Sequence, residues 1–243
     1  MARGPGPPLA TALATPDNKS RYVRRLFSTI AGRYDLITVL LSYGQDRRWK
    51  RRLVSLADVR PGAAALDLAC GTGDIAFALA ARGARVVGLD LTHEMLALAR
   101  RKPHAGSGDT RFLAGDMMAL PFRDETFDIV TTGYGIRNVP ILEPAIGEIR
   151  RVLRPGGLFL SLDFNRPESA IVRSVYLGYL AIVGSALGHA LHKDPDTYRY
   201  IPETIRRYPG AARVADLIVA QGFASCEWLP VLGGLMAIHR ARR

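Results

Sequence analysis

Five residues, Asp67, Gly71, Gly73, Asp74 and Asp90, are spaced to bind a charged, nucleotide-like molecule. Ala64, Ala65, Leu66 and Leu68 form an apolar run that reads as a buried strand, and Gly71-Thr72-Gly73 then turns the chain into the apolar-periodic segment Ile75–Ala81. Glycines at this turn let the backbone approach a ligand, and the free N–H groups of the helix's first turn point at it. Gly71-x-Gly73-x-x-Ala76 also fits the loose dinucleotide fingerprint, so a dehydrogenase is one reading. The acids favour another. A pyrophosphate beside Asp67 and Asp74 would lose about as much as the helix end contributes, a few tenths to roughly 1 kcal/mol. A ligand with a cationic amino-acid end gains from the same carboxylates, and S-adenosylmethionine, with an ammonium and a sulfonium, is such a ligand. An ordinary strand–helix turn is the plain alternative.

Further candidates follow at the ends of successive strands. Asp90 closes the run Arg85–Leu89, where parallel sheets place the carboxylate that holds a ribose diol, and Leu91 lies beside it. A loop acid without a ligand is the ordinary reading of Asp90. Gly115-Asp116-Met117 follows Arg111–Ala114; an acid there can accept from an adenine amino group while Met117 packs on the ring. After Ile129–Thr132 comes Gly133-Tyr134-Gly135-Ile136-Arg137-Asn138-Val139. Gly133 is a candidate donor contact, and Arg137-Asn138 sits where substrate meets cofactor, unless Arg137 serves only as a structural tie to a carboxylate.

The positioning elements come from composition and periodicity. A chain of 243 residues, 48% hydrophobic and 23% charged, can bury one substantial core, and an α/β domain is expected. Residues 1–18, rich in Pro, Gly, Ala and Thr, read as a disordered tail. A basic amphipathic helix follows from Lys19, with Tyr22, Val23, Leu26, Phe27 and Ile30 on one face. An apolar segment to Leu41 and the basic helix Asp46–Leu56 complete a cap over residues 19–60. The cofactor core then spans 61–166, including a helix His93–Lys102 capped by Thr92, and substrate-side helices with a terminal hairpin fill 167–243. The stretch Val172–Leu191 is too interrupted to span a bilayer and reads as a greasy pocket wall or as helical core.

Of the net charge of +11, residues 1–60 hold 12 Lys/Arg against 4 Asp/Glu, or +8. No DNA- or RNA-binding motif accompanies this segment, so nucleic acid is not an expected partner; an anionic membrane surface or a solvated helix face remains. Cys70 and Cys226 form no disulfide framework and lie in no metal-like cluster; His189 and His192 share a helix face without a third ligand, so no metal is expected. The opening MARGPGPPLATALATP lacks a sustained apolar signal core, and the expectation is a cytoplasmic protein.

At the level of motifs, LDLACGTGD, GLDLT, GDMMALPF, GYGIRNV and RRVLRPGGLFLSLDFNRP, in this order, resemble the ubiquinone/menaquinone biosynthesis C-methyltransferases. Tyr34-Asp35-Leu36, Ser42-Tyr43-Gly44, Trp49-Lys50, Tyr198-Arg199-Tyr200-Ile201-Pro202-Glu203-Thr204-Ile205 and Gly233-Gly234-Leu235-Met236-Ala237-Ile238-His239 agree. The family usually shows YDxMN where Tyr34–Thr38 reads YDLIT, often histidine at Asp46, and often serine at Gly133. The resemblance implies a seven-stranded, mainly parallel, Rossmann-like sheet with a helical lid, S-adenosylmethionine as cofactor, and a prenylated benzoquinol or naphthoquinol substrate. A tail-free phenol is the alternative substrate. Carbon methylation needs the ring hydroxyl deprotonated and the methyl held in line. Arg137 can stabilise the phenolate and Asn138 fix the second ring oxygen. Asp116 or Tyr34 can relay the proton, although Asp116 serves equally as a pure adenine contact.

Overall fold

A computed structural model describes residues 9–42, 44–103, 109–193 and 197–243. The polar loop expected at His104–Asp109 falls outside this range except for Asp109, as do Tyr43 and the first eight residues of the expected tail.

Strand periods and glycine turns in the middle of the chain produce alternating strands and helices. They are β1 (Ala64–Leu68), α5 (Asp74–Ala80), β2 (Arg85–Asp90), α6 (His93–Arg101), β3 (Thr110–Ala114), β4 (Phe127–Gly133), α7 (Leu142–Val152) and β5 (Leu153–Phe164). The terminal hairpin is β6 (Ser225–Val231) with β7 (Met236–Arg242). The seven strands order as β3-β2-β1-β4-β5-β7-β6; β1 to β5 run parallel, and β7 pairs antiparallel with β5. This is the mainly parallel α/β architecture expected. Chain order reverses between β1 and β4, and the crevice outside their carboxyl ends is where such sheets bind ligands.

Parallel strands are buried on both faces and therefore need two cores. On one face Leu66, Leu68, Val130 and Phe159 pack against Ile146 and Ile149 of α7 and Val214 and Ile218 of α10 (Ala211–Ala220). On the other, Ala65, Ile129 and Leu160 pack against Leu79 of α5 and Trp49 and Leu53 of α4 (Asp46–Leu56). The remaining cap helices, α2 (Pro16–Ile30) and α3 (Tyr34–Leu41), lie above the carboxyl ends of the strands, with α2 against α6 and Asp35 of α3 paired to Lys102. Two further helices, α8 (Ala170–His192) and α9 (Tyr200–Arg207), pack on each other through Tyr176, Leu177, Leu180 and Ile205.

The order expected to begin at Lys19 begins earlier. α1 (Leu9–Ala12) precedes α2, which starts at Pro16. The signal lay in Thr15-Pro16: proline fits the first helical turn because its missing N–H has no intrahelical role, and the Thr15 hydroxyl accepts from Asn18 N. Ala12 and Leu13 are buried, and Arg207 donates to the Leu13 carbonyl, which holds the segment down. At α6, Thr92 occupies the N-cap position without a side-chain hydrogen bond to the helix; its own N–H donates to Asp90. α8 is continuous over 23 residues, and by length and composition alone it is apolar enough to cross a membrane.

Candidate active site

β1 ends at Leu68, level with Leu89 of β2 and Thr132 of β4, so the glycine loop, Asp90 and Gly133 come together at one edge. A cleft of about 720 Å³ lies over this edge, lined by Gly71, Asp90, Leu91, Asp116, Met117 and Gly133 among others. The loop adopts left-handed backbone at Gly71 (φ +55°) and Gly73 (φ +88°). A Cβ on Gly73 would stand 2.8 Å from the Phe77 ring and 3.0 Å from that of Phe112. Asp90 braces the loop: one carboxylate oxygen accepts from Gly71 N and the other from Thr92 N, both at 2.8 Å. Burial raises its carboxyl above the usual range while these amides oppose the shift.

Beyond Gly71 the cleft continues past Thr72, Asp67, Asp74 and Lys50. Here the charge reading needs correction. Asp74 does not stand free for a cationic ligand: Lys50 and Lys102 bind its two oxygens at 2.9 and 2.8 Å. Against the upward effect of burial, these lysines hold its carboxyl down at about 2. Lys102 also reaches Asp35 and Thr72, and the Thr72 hydroxyl donates to Asp35, so the loop is tied to α3. Asp67 is the acid left over. Its Oδ1 accepts from Thr131, its Oδ2 is buried without a hydrogen-bond partner, and burial pushes the carboxyl up to about 7.

A second cavity of about 660 Å³ adjoins the first and shares Phe27, Tyr34 and Tyr134 with it. Its other walls include Ile30, Ile37, Leu41, Trp49, Phe164 and Ile201, and Arg137 is the one charged side chain among the described lining residues. The Arg137 guanidinium lies 3.3 Å from Asp163 Oδ1 and 4.9 Å from the Phe164 ring centre, with Nε buried and unpartnered. Arg137 is thus tied to a carboxylate and also faces the cavity. Asn138 differs from expectation. Its Oδ1 accepts from the Tyr200 hydroxyl at 3.0 Å and its Nδ2 donates to the Tyr134 carbonyl at 2.8 Å, so its amide is committed to holding protein groups. Asp116 lines the first cleft and not the second, and its Oδ1 accepts from Met118 N; the structure does not bring it to the cavity as a base. Tyr34 lines both, but burial pushes its hydroxyl up to about 12, so it stays protonated.

The sequence model of the ubiE/COQ5 methyltransferase family matches residues 15–243. The chain belongs to this family. A demethylmenaquinone methyltransferase of Thermus thermophilus is 44% identical, covering 88% of this chain and 98% of that protein. The ubiquinone/menaquinone biosynthesis C-methyltransferase UbiE of Paracoccus denitrificans is 38% identical, covering 91% and 90%. The solved structure of a SAM-dependent methyltransferase from Thermotoga maritima shares the fold at TM-score 0.62 and 19% identity, covering 90% of this chain and 98% of that one.

As a ubiE/COQ5 family member, the chain is an S-adenosylmethionine-dependent methyltransferase, and its residues suit that cofactor. The orphaned Asp67 oxygen fits an ammonium, and the open left-handed loop at Gly71 fits a closely approaching ligand. Sequence reasoning passed over Tyr134 and Tyr200. Tyr134 has φ +60°, donates to Asp46 at 2.7 Å and lines both cavities; its place between Gly133 and Gly135 was the available signal. Tyr200 had only its place in the C-terminal signature.

Proposed function

We propose that this chain methylates a ring carbon of a polyprenyl-substituted quinol, with demethylmenaquinol as the first substrate to test. The observation that carries the reading is the apolar cavity that meets the donor cleft at Tyr34 and Tyr134 and contains Arg137 as the one charged group among its described lining residues. The names of the similar Thermus and Paracoccus proteins support the same substrate class.

Asp90 would hold the ribose hydroxyls of the donor, Leu91, Asp116 and Met117 its adenine, Gly133 its flank, and the Gly71-Thr72-Gly73 backbone with Asp67 its amino-acid end. When bound, S-adenosylmethionine supplies an electrophilic methyl group. Arg137 supplies the positive field that favours the deprotonated ring hydroxyl, and the apolar walls lower the local dielectric and strengthen that field. Asn138, through Tyr200 and the Tyr134 carbonyl, holds the two tyrosines that shape the cavity. Tyr34 stands between the cavities as a hydrogen-bond donor rather than a base. A polyprenyl acceptor resides in lipid, so the basic helices over residues 19–60 point to peripheral association with an anionic membrane from the cytoplasmic side.

The test is incubation of the purified protein with radiolabelled S-adenosylmethionine and, separately, reduced demethylmenaquinone, a reduced demethylated ubiquinone precursor and a tail-free phenol, followed by organic extraction. Label on a prenylated quinol is the expected result. Label on the tail-free phenol alone discards the quinone assignment.

A further inference from the structure

α8 is a helix without a polar face. Tyr176, Leu177, Leu180, Gly184 and Gly188 are buried along one side, whereas Ile171, Val175 and Ile182 are 78%, 69% and 74% exposed. Steps of four and seven residues put these three on a single stripe. Only 17% of the helix's most apolar window is buried, and none of the described residues covers the stripe. α3 carries a second such group, Leu36, Val39 and Leu40, all exposed. The two helices flank the acceptor cavity together: Ile37 and Leu41 of α3 and Leu187 and Leu191 of α8 pack in one cluster with Tyr198, which lines that cavity.

The charge on and beside these two helices is mainly basic. Residues 16–56 hold ten Lys/Arg against three Asp/Glu, and residues 170–193 hold Arg173 and Lys193 with no acid. Arg33 at the start of α3 and Lys193 at the end of α8 are both exposed. Arg33 lies close enough to the Tyr198 hydroxyl to act on it electrostatically, which brings positive charge to the cavity's flank.

We propose that the outer faces of α8 and α3 dock on an anionic lipid bilayer, with the apolar stripe in the acyl boundary and the basic side chains among the headgroups. The proposal rests on the polyprenyl acceptor inferred above, since docking there puts the acceptor cavity within about one helix diameter, roughly 10 Å, of lipid. Anionic lipid is the occupant that the charge favours; a second copy of the chain would bring a like-charged surface to the same place. A membrane span is disfavoured because the inward side of α8 is committed to the fold: a Cβ on Gly184 would stand 3.1 Å from Tyr198 Cβ.

The experiment is flotation of the full chain with phosphatidylcholine vesicles, with and without one third phosphatidylglycerol, at low and high salt. Its partner is the triple variant Ile171→Asp, Val175→Asp, Ile182→Asp, whose sites lie outside both cavities. The wild type should float with the anionic vesicles at low salt and bind about tenfold or more weakly at high salt. The variant should lose roughly 100-fold in partitioning, at about tenfold or less per side chain, while keeping its Tm and its turnover of a short-tailed quinol in detergent. A wild type that does not float, or a variant that floats equally well, overturns the proposal. So does a wild-type dimer that the variant converts to monomer without any vesicle binding, or wild-type protein that resists alkaline extraction as a spanning segment does. Vesicle binding without turnover of any quinol would instead reject the proposed substrate and leave the docking surface standing.

Discussion

Replacing Arg137 by methionine should do two separable things. The guanidinium and the Asp163 carboxylate are both almost fully buried and 3.3 Å apart. Removing one partner leaves an uncompensated buried charge, which costs about 3–5 kcal/mol. For a chain of this length that lowers Tm by roughly 6–20 °C. The loss should depend on pH. Burial already raises the Asp163 carboxyl, and Arg137 is the chief influence opposing that shift. Without Arg137 the folded-state value climbs further above the unfolded one, so the folded variant holds a proton that the unfolded chain gives up. Its stability therefore falls as pH rises from the ordinary carboxylate range toward neutrality, and the deficit against wild type is smaller at pH 5 than at pH 7.5. The double variant Arg137→Met/Asp163→Asn removes the stranded charge and should recover most of the Tm while turnover stays about 10²–10³-fold down. Urea denaturation at the two pH values, with donor binding by calorimetry and turnover on the same preparations, makes the comparison. A double variant that regains both stability and turnover would show that Arg137 is a structural tie and nothing more.

Two other perturbations probe the donor side. With the Asp67 carboxyl pushed up to about 7, affinity for S-adenosylhomocysteine should fall below neutrality, approaching tenfold per pH unit, because the ammonium needs the ionised acid; binding at pH 6 should release a proton. Asp67→Asn should weaken binding at pH 7.5 and flatten this dependence, and a variant with the wild-type pH profile would mean that the amino-acid end lies elsewhere. Gly73→Ala adds a Cβ 2.8 Å from Phe77 to a backbone with φ +88°, whereas Gly44→Ala, at φ +73°, meets nothing within 4 Å. The first should lose about 1–3 kcal/mol more than the second in urea denaturation, and equal losses would refute the ring contact.

Local signals made the fold legible. Strand-like runs of four or five residues mark β1, β2 and β4, and each of those strands holds to within two residues of its expected bounds. Signals from single side chains were weaker. Proline at position 16 was read as part of a tail's composition rather than as the first turn of a helix, and the ordering of α1 depends on Arg207, nearly two hundred residues away, donating to Leu13. Thr92 is at the N-cap position, but its hydroxyl accepts from no helix N–H; its amide instead donates to Asp90, which also braces the glycine loop.

Site residues follow the same division. Those placed by strand ends, namely Gly71, Asp90, Leu91, Asp116, Met117 and Gly133, all line one cleft. Roles that depend on a partner's charge were not legible, because the partners arrive from distant elements. Asp67 and Asp74 look equivalent in sequence, two acids flanking a glycine loop. Lys50 from α4 and Lys102 from just past α6 neutralise Asp74, whereas Asp67 retains a bare oxygen between strands. The preference for a cationic donor over a pyrophosphate therefore rests on one carboxylate rather than two. It is also conditional on protonation: burial favours the neutral form of the Asp67 carboxyl, and a cation bound beside it favours the charged form. Asp74 and its two lysines instead fasten α3, α4 and the loop together, which makes the neutralised acid a structural clasp for the wall of the cleft.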